Sequence, residues 1–221
     1  MKANDSVTDV RIFCEGKSDY SHLDAALKSF HARGQFRELR LDLQRHVDRG
    51  GDKLLEHCRT LALTPAPLPT VFVFDSDVAE IVKKADGEGG PKGWGNGVFS
   101  LVIPVPPFRT PGERLCIELL YPDDDLRRVD PAGRRIYLRS EFEDGKHKSE
   151  PVYCPDFAKN TLVVSQALDW GSRENRALTK VDFARHILLA QGAFSGITFE
   201  GFRGVFEYLM SARERWLTGN L

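Results

Sequence analysis

The sequence predicts an α/β fold, in which a parallel sheet of about four strands is flanked by helices and followed by a mainly helical C-terminal extension. Three observations lead to this prediction. In the N-terminal half, strand-like segments alternate with segments of helical periodicity, which is typical of a parallel sheet with helices on both faces. One segment, Val71 to Phe74, is apolar without interruption, as expected of a strand covered on both sides. Near the C-terminus, Lys180 to Leu189 and Gly201 to Leu217 carry apolar residues at helical spacing.

The first strand and the first helix occupy the N-terminal segment. Val10 to Cys14 (VRIFC) is rich in β-forming residues and ends at Glu15-Gly16. Ser18 then offers a side-chain oxygen that can cap a helix. The helix is indicated by apolar residues at positions i, i+3, i+4 and i+7, namely Leu23, Ala26, Leu27 and Phe30.

Two further strands are predicted before residue 75. Residues 36–44 (FRELRLDLQ) alternate leucine with polar residues, which indicates an edge strand with one face in water. A helix is indicated after Gly50-Gly51, and it leads to the segment PTVFVFDSD. Because the apolar run of this segment is unbroken, we expect it to be the central strand of the sheet.

The next segment combines a short helix, a loop and a strand. The helix is indicated around Val78, Ile81 and Val82. Residues 85–97 (ADGEGGPKGWGNG) contain six glycines and one proline, so we expect a surface loop without regular structure. Val98 to Val105 (VFSLVIPV) is again apolar and predicts another strand of the parallel sheet.

The C-terminal half gives weaker signals. Arg114 to Leu120 is compatible with a helix, residues 127–148 are charged and rich in turn formers, and residues 161–168 (TLVVSQAL) fit a short strand or a helix. We therefore divide the chain into a core of residues 8–125 and a region of residues 126–221, in which a charged insertion precedes helices that pack on the core. The last helix could instead provide an interface in a homo-oligomer.

Composition limits the class of protein. The 221 residues are 41% hydrophobic, which suffices for one elaborated domain or two small ones. The formal net charge of -1 gives no global signature of nucleic-acid binding, so contact with a polynucleotide has to come from local patches or metal-bridged phosphates. The polar start lacks a signal peptide, and no apolar run approaches the roughly 18 residues of a membrane span. We expect a soluble, cytoplasmic protein without membrane contact.

The cysteines do not indicate a metal site or a disulfide framework. They are far apart in the sequence and form no CxxC pair: Cys14, Cys58, Cys116 and Cys154. We expect reduced, partly buried thiols.

Three carboxylates follow predicted strands. Glu15 follows the first strand, and Asp75 and Asp77 follow the central one. The carboxyl ends of parallel strands face one edge of the sheet, so these side chains should converge there if the two strands are neighbours. Two acids two residues apart repel each other at neutral pH unless a hard divalent ion, Mg²⁺ or Mn²⁺, neutralises them. The pattern predicts a site for one or two such ions and phosphoryl chemistry.

Each of these acids also has a simpler interpretation. Asp77 can serve as a negative charge at the N-terminus of the short helix that follows it. A glutamate before a glycine turn is an ordinary way to end a strand. The order of the two motifs, each after an apolar strand and separated by a strand and a helix, favours the metal site.

Together, FCEGKSD and VFVFDSD resemble the TOPRIM domain, a metal-binding fold of topoisomerases, primases and small nucleases with a Rossmann-like parallel sheet. The resemblance implies that Glu15 binds metal or acts as a general acid or base, and that Asp75 and Asp77 bind metal. It also implies that Asp19 corresponds to the acidic residue after the Glu-Gly turn in the nuclease branch. A charge in the first turn of a helix explains Asp19 equally well.

Two later stretches resemble the overcoming-lysogenization-defect (OLD) branch of TOPRIM nucleases. In CIELLYPDDDL, Glu118 is similar to a glutamate that would complete a second metal position. In LTKVDFARHIL, Lys180 is similar to a catalytic lysine whose charge would stabilise the developing negative charge on phosphate. The resemblance covers about residues 8–125 and extends less closely to residue 190. It implies a Mg²⁺-dependent nuclease acting on DNA or RNA, with a role in phage defence. Since the chain has no Walker A sequence, ATP control would require a separate ATPase partner.

Two other functions stay open. The segment VFVFDSDV also resembles the first motif of haloacid-dehalogenase-like phosphatases, in which Asp75 would be the nucleophile and Asp77 the general acid. Alternatively, the protein is a TOPRIM-like subunit that binds nucleic acid or a partner without catalysis.

One basic concentration in the sequence is a candidate for contact with a nucleic-acid backbone, although such a run is more often a solvated surface. Acidic residues are interspersed among its members, which are Arg127, Arg128, Arg134, Arg135, Arg139, Lys146 and Lys148.

Overall fold

The computed structural model describes residues 8–44 and 50–220, and it consists of two compact units. The first unit contains the described residues up to Leu120 together with those from Phe199 onward. The second unit is Tyr121–Thr198. Within these described ranges, no helix has both the length and the apolar composition needed to cross a membrane.

The first unit is built around one sheet. In chain order its N-terminal part contains β1 (Thr8–Cys14), α1 (Asp19–Ala32), β2 (Leu39–Leu43), α2 (Gly51–Leu61), β3 (Thr70–Phe74), α3 (Ala79–Ala85), β4 (Lys92–Gly95), β5 (Val98–Val102) and a 3₁₀ helix, Ile117–Leu120. The strand order is β2-β1-β3-β5-β4. Adjacent strands are parallel except β4, which runs antiparallel to β5. The α/β class is therefore confirmed, with β2 at an edge and β3 in the centre as predicted.

The glycine-rich segment is not the unstructured loop that the sequence predicts. Its residues Lys92–Gly95 form the fifth strand, and Trp94 Nε1 donates a hydrogen bond of 2.8 Å to Ser100 Oγ on β5. Gly95, Asn96 and Gly97 have φ angles of 91°, 54° and 80°, so these residues form the tight turn between the two strands. Glycine composition indicates the turn correctly but hides the short strand beside it.

Two smaller predictions for the first unit are wrong. Ser18 occupies the N-cap position of α1, which begins at Asp19, but its backbone angles are helical and its side chain makes no capping bond. Between Arg114 and Leu120 only the last four residues are helical, as a 3₁₀ helix.

The second unit contains mostly short elements. They are α4 (Asp123–Leu126), β6 (Tyr137–Leu138), β7 (Phe142–Glu143), β8 (Lys146–His147), β9 (Val152–Tyr153), β10 (Val163–Val164), β11 (Leu168–Asp169) and α5 (Lys180–Leu189). Four of the strands form an antiparallel sheet in the order β11-β9-β8-β7, and β10 pairs with β6. The predicted mainly helical extension is thus wrong for residues 126–178, because two-residue strands are too short to give a period in the sequence.

The chain then returns to the first unit as α6 (Arg203–Thr218). Two side chains of β5, Val98 and Val102, pack with α2 and α3 on one face of the sheet. Phe99 points to the opposite face, where the guanidinium of Arg215 on α6 lies 5.0 Å from its ring centroid. Each face of the central strands is therefore covered by helices, which explains why β3 and β5 are buried along their whole length.

Candidate functional site

The strand order defines one position in the sheet where a ligand is expected. From β1 the chain first adds β2 on one side and then β3 and β5 on the other. At such a change of direction, the crossover connections leave a crevice outside the carboxyl ends of the two inner strands. Glu15 directly follows β1 and Asp75 directly follows β3, so both residues lie at this crevice.

Glu15 and Asp75 are in direct contact there. The backbone N–H of Asp75 donates a hydrogen bond of 3.2 Å to Oε1 of Glu15, across 60 residues of sequence. Both residues are half-buried, so they are held by the protein and still reach solvent. This bond joins the two sequence motifs in the structure.

The start of α2 also lies against the carboxylate of Glu15. A Cβ atom added to Gly51 would lie 3.3 Å from Oε2 and 3.4 Å from Oε1 of Glu15. The first backbone amides of a helix carry partial positive charge, which stabilises a nearby carboxylate. Gly51 is therefore a site residue that the sequence reasoning missed, although a Gly-Gly pair between a strand and a helix was a visible signal.

Asp19 closes the turn that carries Glu15. Its Oδ2 accepts a hydrogen bond of 2.8 Å from the N–H of Gly16, and the residue is buried at 7% exposure. A Cβ atom on Gly16 would lie 2.8 Å from Oδ1 of Asp19. The structure gives Asp19 a role in the turn and in the first turn of α1.

Glu15, Asp19 and Asp75 act electrostatically on the same buried thiol. The thiol of Cys14, the last residue of β1, is fully buried. Burial raises its pKa, and the negative charges of Asp19, Asp75 and Glu15 raise it further. All three carboxylates are therefore close enough to act on the same thiol.

Asp77 is positioned by a clamp around Ser76. The N–H of Ser76 donates to the carbonyl of Leu115 at 2.8 Å, and its Oγ accepts from the N–H of Leu115 at 2.9 Å. Arg114 Nε donates to the carbonyl of Asp77 at 2.8 Å. Asp77 is half-buried and does not cap α3, whose N-cap residue is Val78. The clamp fixes the backbone of the Asp-Ser-Asp segment beside β3.

The surroundings of Glu118 and Lys180 differ from those of Glu15, Asp75 and Asp77. Glu118 belongs to the 3₁₀ helix Ile117–Leu120 and is fully buried, unlike the half-buried Glu15, Asp75 and Asp77. Lys180 is the first residue of α5 in the second unit, after an N-cap bond between Asp182 N–H and Thr179 Oγ1.

The donors at the crevice suit a hard cation. Within residues 8–44 and 50–220, no three His, Cys, Asp or Glu side chains are grouped so that they could hold a metal ion by themselves. Mg²⁺, however, usually keeps several waters and is bound by one or two carboxylates together with substrate phosphates. Glu15 and Asp75 are carboxylates of this kind, and both are half-buried rather than enclosed. The residues therefore fit the ion.

Most arginines of the basic segment, residues 127–148, form ion pairs or hydrogen bonds inside the second unit. Arg134 pairs with Asp130 at 2.8 Å, and Arg135 pairs with Glu141 at 3.0 Å and Glu150 at 2.6 Å. Arg128 Nη2 lies 2.8 Å from Asp125 Oδ1, and Arg139 donates to the carbonyl of Phe157. These arginines hold the unit together, so most of the predicted basic surface is structural.

Comparison of the chain with protein-family models, with curated proteins and with solved structures found no match.

Proposed function

We propose that the protein is a metal-dependent nuclease that hydrolyses phosphodiester bonds of DNA or RNA. The observation that carries this proposal is the contact of Glu15 with Asp75 at the β1/β3 crevice. This bond holds the carboxylate of Glu15 against the backbone of Asp75, at the position where parallel sheets bind ligands. The TOPRIM-like motifs around them support the same function by analogy.

In this proposal Glu15 and Asp75 hold Mg²⁺ or Mn²⁺, and Asp77 is the next ligand along the chain. When bound, the ion would supply a Lewis acid for the scissile phosphate and favour attack by water. The N–H of Asp75 and the start of α2 orient the carboxylate of Glu15 before substrate arrives. The clamp of Ser76 on Leu115 does the same for the backbone that carries both aspartates.

The other roles that the resemblance implies stay predictions. Asp19 contributes through the turn rather than as a necessary ligand. Glu118 as a ligand of a second ion requires that an ion reach a fully buried carboxylate, and Lys180 as a catalytic cation requires that α5 reach the substrate. A phage-defence role with a separate ATPase rests on the OLD resemblance alone.

The first test is the replacement of single carboxylates by amides. We expect Glu15→Gln and Asp75→Asn each to lower Mg²⁺- or Mn²⁺-dependent cleavage by at least about 100-fold, because each removes a charge that the ion needs. Glu56→Gln, which removes an exposed acid on α2, is the matched control and should retain activity. Cleavage is measured on single-stranded DNA, double-stranded DNA and RNA, and metal binding by calorimetry.

The alternatives have distinct outcomes in the same experiments. Unchanged cleavage in both amide variants would show that the assignment is wrong. Metal binding without turnover on any substrate would favour a non-catalytic subunit. A trapped phospho-aspartate at Asp75 would favour the phosphatase chemistry instead.

A further inference from the structure

A rigid turn in the second unit presents one tryptophan to solvent. The turn follows β11, and Oδ1 of Asp169 accepts hydrogen bonds of 2.9 Å from the N–H groups of both Gly171 and Ser172. The N–H of Trp170 donates to the carbonyl of Pro151 at 2.9 Å. The backbone around Trp170 is thus fixed, while the residue itself is 48% exposed.

Trp170 does not stand alone on this surface. Its ring lies 4.4 Å, centroid to centroid, from the ring of Tyr153 on β9. Arg173 donates to the hydroxyl of Tyr153, and its guanidinium carbon lies 5.4 Å from the centre of that ring. Arg173 has a φ of 63°, a conformation that costs energy for a residue with a side chain. The fold places an arginine there although glycine or asparagine would be less strained.

A second cation lies on the other side of Tyr153. Lys146 on β8 is the direct cross-strand partner of Tyr153, and paired residues on adjacent strands have neighbouring side chains. Both Lys146 and Arg173 are exposed, and neither forms a salt bridge within residues 8–44 and 50–220, although Glu143 on β7 is the second cross-strand partner of Lys146. They differ in this from Arg128, Arg134 and Arg135, which are paired with acids.

We propose that this surface, the aromatic face formed by Lys146, Tyr153, Trp170 and Arg173, binds single-stranded nucleic acid. A base of the single strand stacks on Trp170. The phosphates next to this base contact Lys146 and Arg173. Aromatic side chains flanked by basic ones are the usual means of binding single strands without sequence preference. The preference for a nucleic acid over another planar ligand rests in part on the proposed function, but the binding itself requires neither metal nor cleavage.

The geometry favours a single strand over a duplex. In a duplex both faces of each base are already stacked on their neighbours, so a tryptophan on a protein surface has no base face to contact. A single strand offers free base faces together with its phosphates. Duplex binding is therefore expected to be weaker and insensitive to Trp170.

The test uses the full chain in EDTA, so that no cleavage occurs. The probe is a 12-nucleotide mixed-sequence fluorescent oligonucleotide, either DNA or RNA, and binding is followed by anisotropy. We expect Trp170→Ala to weaken binding about 5- to 150-fold, as for the loss of one stacked base. Val181→Ala, which removes an exposed apolar side chain in the same unit, is the matched control and should bind like the parent protein.

Conservative variants separate stacking from simple apolar contact. Trp170→Phe keeps a ring face and should bind within a few-fold of the parent protein, whereas Trp170→Leu should bind like Trp170→Ala. The oligonucleotide should quench tryptophan emission in the parent protein, and most of this quenching should be absent in Trp170→Phe.

The cations are tested through salt dependence. Lys146→Gln should reduce the slope of log K against log salt by about 0.7, the value for one phosphate contact on a single strand. Lys159→Gln removes a lysine of the same unit that is already paired with Asp156, and it should leave the slope unchanged.

The proposal is overturned if no binding of single strands is detected, if Trp170→Ala binds as well as the parent protein, or if duplexes bind equally well. Quenching by a proline-rich peptide in place of the oligonucleotide would also overturn it and assign the face to protein recognition. Because binding is measured without metal, an inactive nuclease site leaves this result intact, and loss of binding leaves the carboxylate test intact.

Discussion

At the scale of single residues, the spacing of Glu15, Gly16 and Asp19 has a simple structural reason. The carboxylate of Asp19 folds back on the N–H of Gly16, and a side chain at position 16 would collide with it. The turn therefore needs glycine and a short acid three residues later. Its product is a strand end that points Glu15 toward Asp75.

Gly51 offers a sharper test of this geometry than removal of a carboxylate. A methyl group at this position would lie 3.2 Å from Cγ1 of Ile81 and 3.3 Å from Oε2 of Glu15, so these neighbours would have to shift by a few tenths of an ångström. We expect Gly51→Ala to lower metal-dependent cleavage by up to about tenfold, because a displacement of about 1 Å in a catalytic group can cost 100-fold and the shift here is smaller. The free energy of unfolding, measured in urea, should change by less than about 1 kcal/mol.

The neighbouring glycine is a natural control for this variant. A Cβ atom on Gly50 would have no neighbour within 4 Å. Gly50→Ala should therefore keep full cleavage. If both variants are active while Glu15→Gln is not, the start of α2 has no role in orienting Glu15.

We expect the aromatic face to respond to pH through the carboxylate of Asp169. Hydrogen bonds from the N–H groups of Ser172 and Gly171 lower the pKa of Asp169 from its ordinary value of 3.8. The folded turn favours the ionised form, so its stabilisation is complete above pH 4 or so and is lost as the pH falls through the lowered pKa. We expect the emission of Trp170 to be constant from pH 7 to about pH 4.5 and to shift below that range.

Asp169→Asn is the control, because an amide oxygen accepts the same bonds and does not titrate. Its emission should stay constant over the acid range in which far-UV circular dichroism is unchanged. An identical shift in both proteins would assign the effect to a different group.

At the scale of elements, the sequence predicted the regular part of the fold well. From β1 to α3 each helix and strand has several apolar residues at one period, so its type follows from its own segment. The strand β4 was missed because glycine gives no such pattern, and the strands of the second unit were missed because they span only two residues each. Their existence depends on pairing with distant segments, which a local pattern does not contain.

The features of the candidate site divide in the same way, into those that a local sequence pattern indicates and those that depend on tertiary contacts. Glu15, Asp75 and Asp77 were predicted as site residues because each follows an apolar strand. The clamp between Ser76 and Leu115 joins residues 39 positions apart, and the contact of Gly51 with Glu15 depends on how α2 is set on the sheet. Contacts of this kind arise from tertiary packing, so the Gly-Gly pair marks the start of α2 in the sequence but not the contact of Gly51 with Glu15.

The entry into α6 provides a test of element packing. Gly201 lies so close to the carbonyl of Leu120 that an added Cβ atom would overlap this oxygen. We expect Gly201→Ala to lower the free energy of unfolding by about 1–3 kcal/mol or more, because a backbone carbonyl cannot rotate away as a side chain can. Urea denaturation measures the change.

Gly90→Ala is the control for this substitution, since a Cβ atom there meets nothing within 4 Å and the backbone φ is not positive. It should change stability by no more than about 0.5 kcal/mol. Equal effects of the two substitutions would contradict the close packing at Gly201.

At the scale of the whole molecule, the first unit combines two separate parts of the described chain, the residues up to Leu120 and those from Phe199 onward. The second unit is inserted in the sequence between the 3₁₀ helix Ile117–Leu120 and the segment that leads into α6. On α6, Phe206 is fully buried and its ring contacts those of Phe30 and Phe36, with centroid distances of 5.5 Å and 5.6 Å. The C-terminal helix therefore completes a core that residues 8–120 begin.

Because α6 is part of this core, we expect a substitution on α6 to lower the stability of the protein strongly. Phe206→Ala should destabilise the protein by about 3–5 kcal/mol, as for other buried phenylalanines. Leu217→Ala, on the same helix but 47% exposed, should cost no more than about 0.5 kcal/mol. Similar small values for both in thermal or urea unfolding would mean that α6 is not part of this core.

The antiparallel strand β4 has a consequence for how separate molecules of this protein behave toward one another. β5 is buried along its whole length, and without β4 its backbone would be an open, flat and apolar edge, the kind of edge on which chains aggregate. β4 replaces this edge with a short strand that contains glycines, a lysine and an irregular register. We therefore expect the glycine-rich segment to protect the sheet against self-association, and we expect a protein in which this segment is shortened to aggregate more readily.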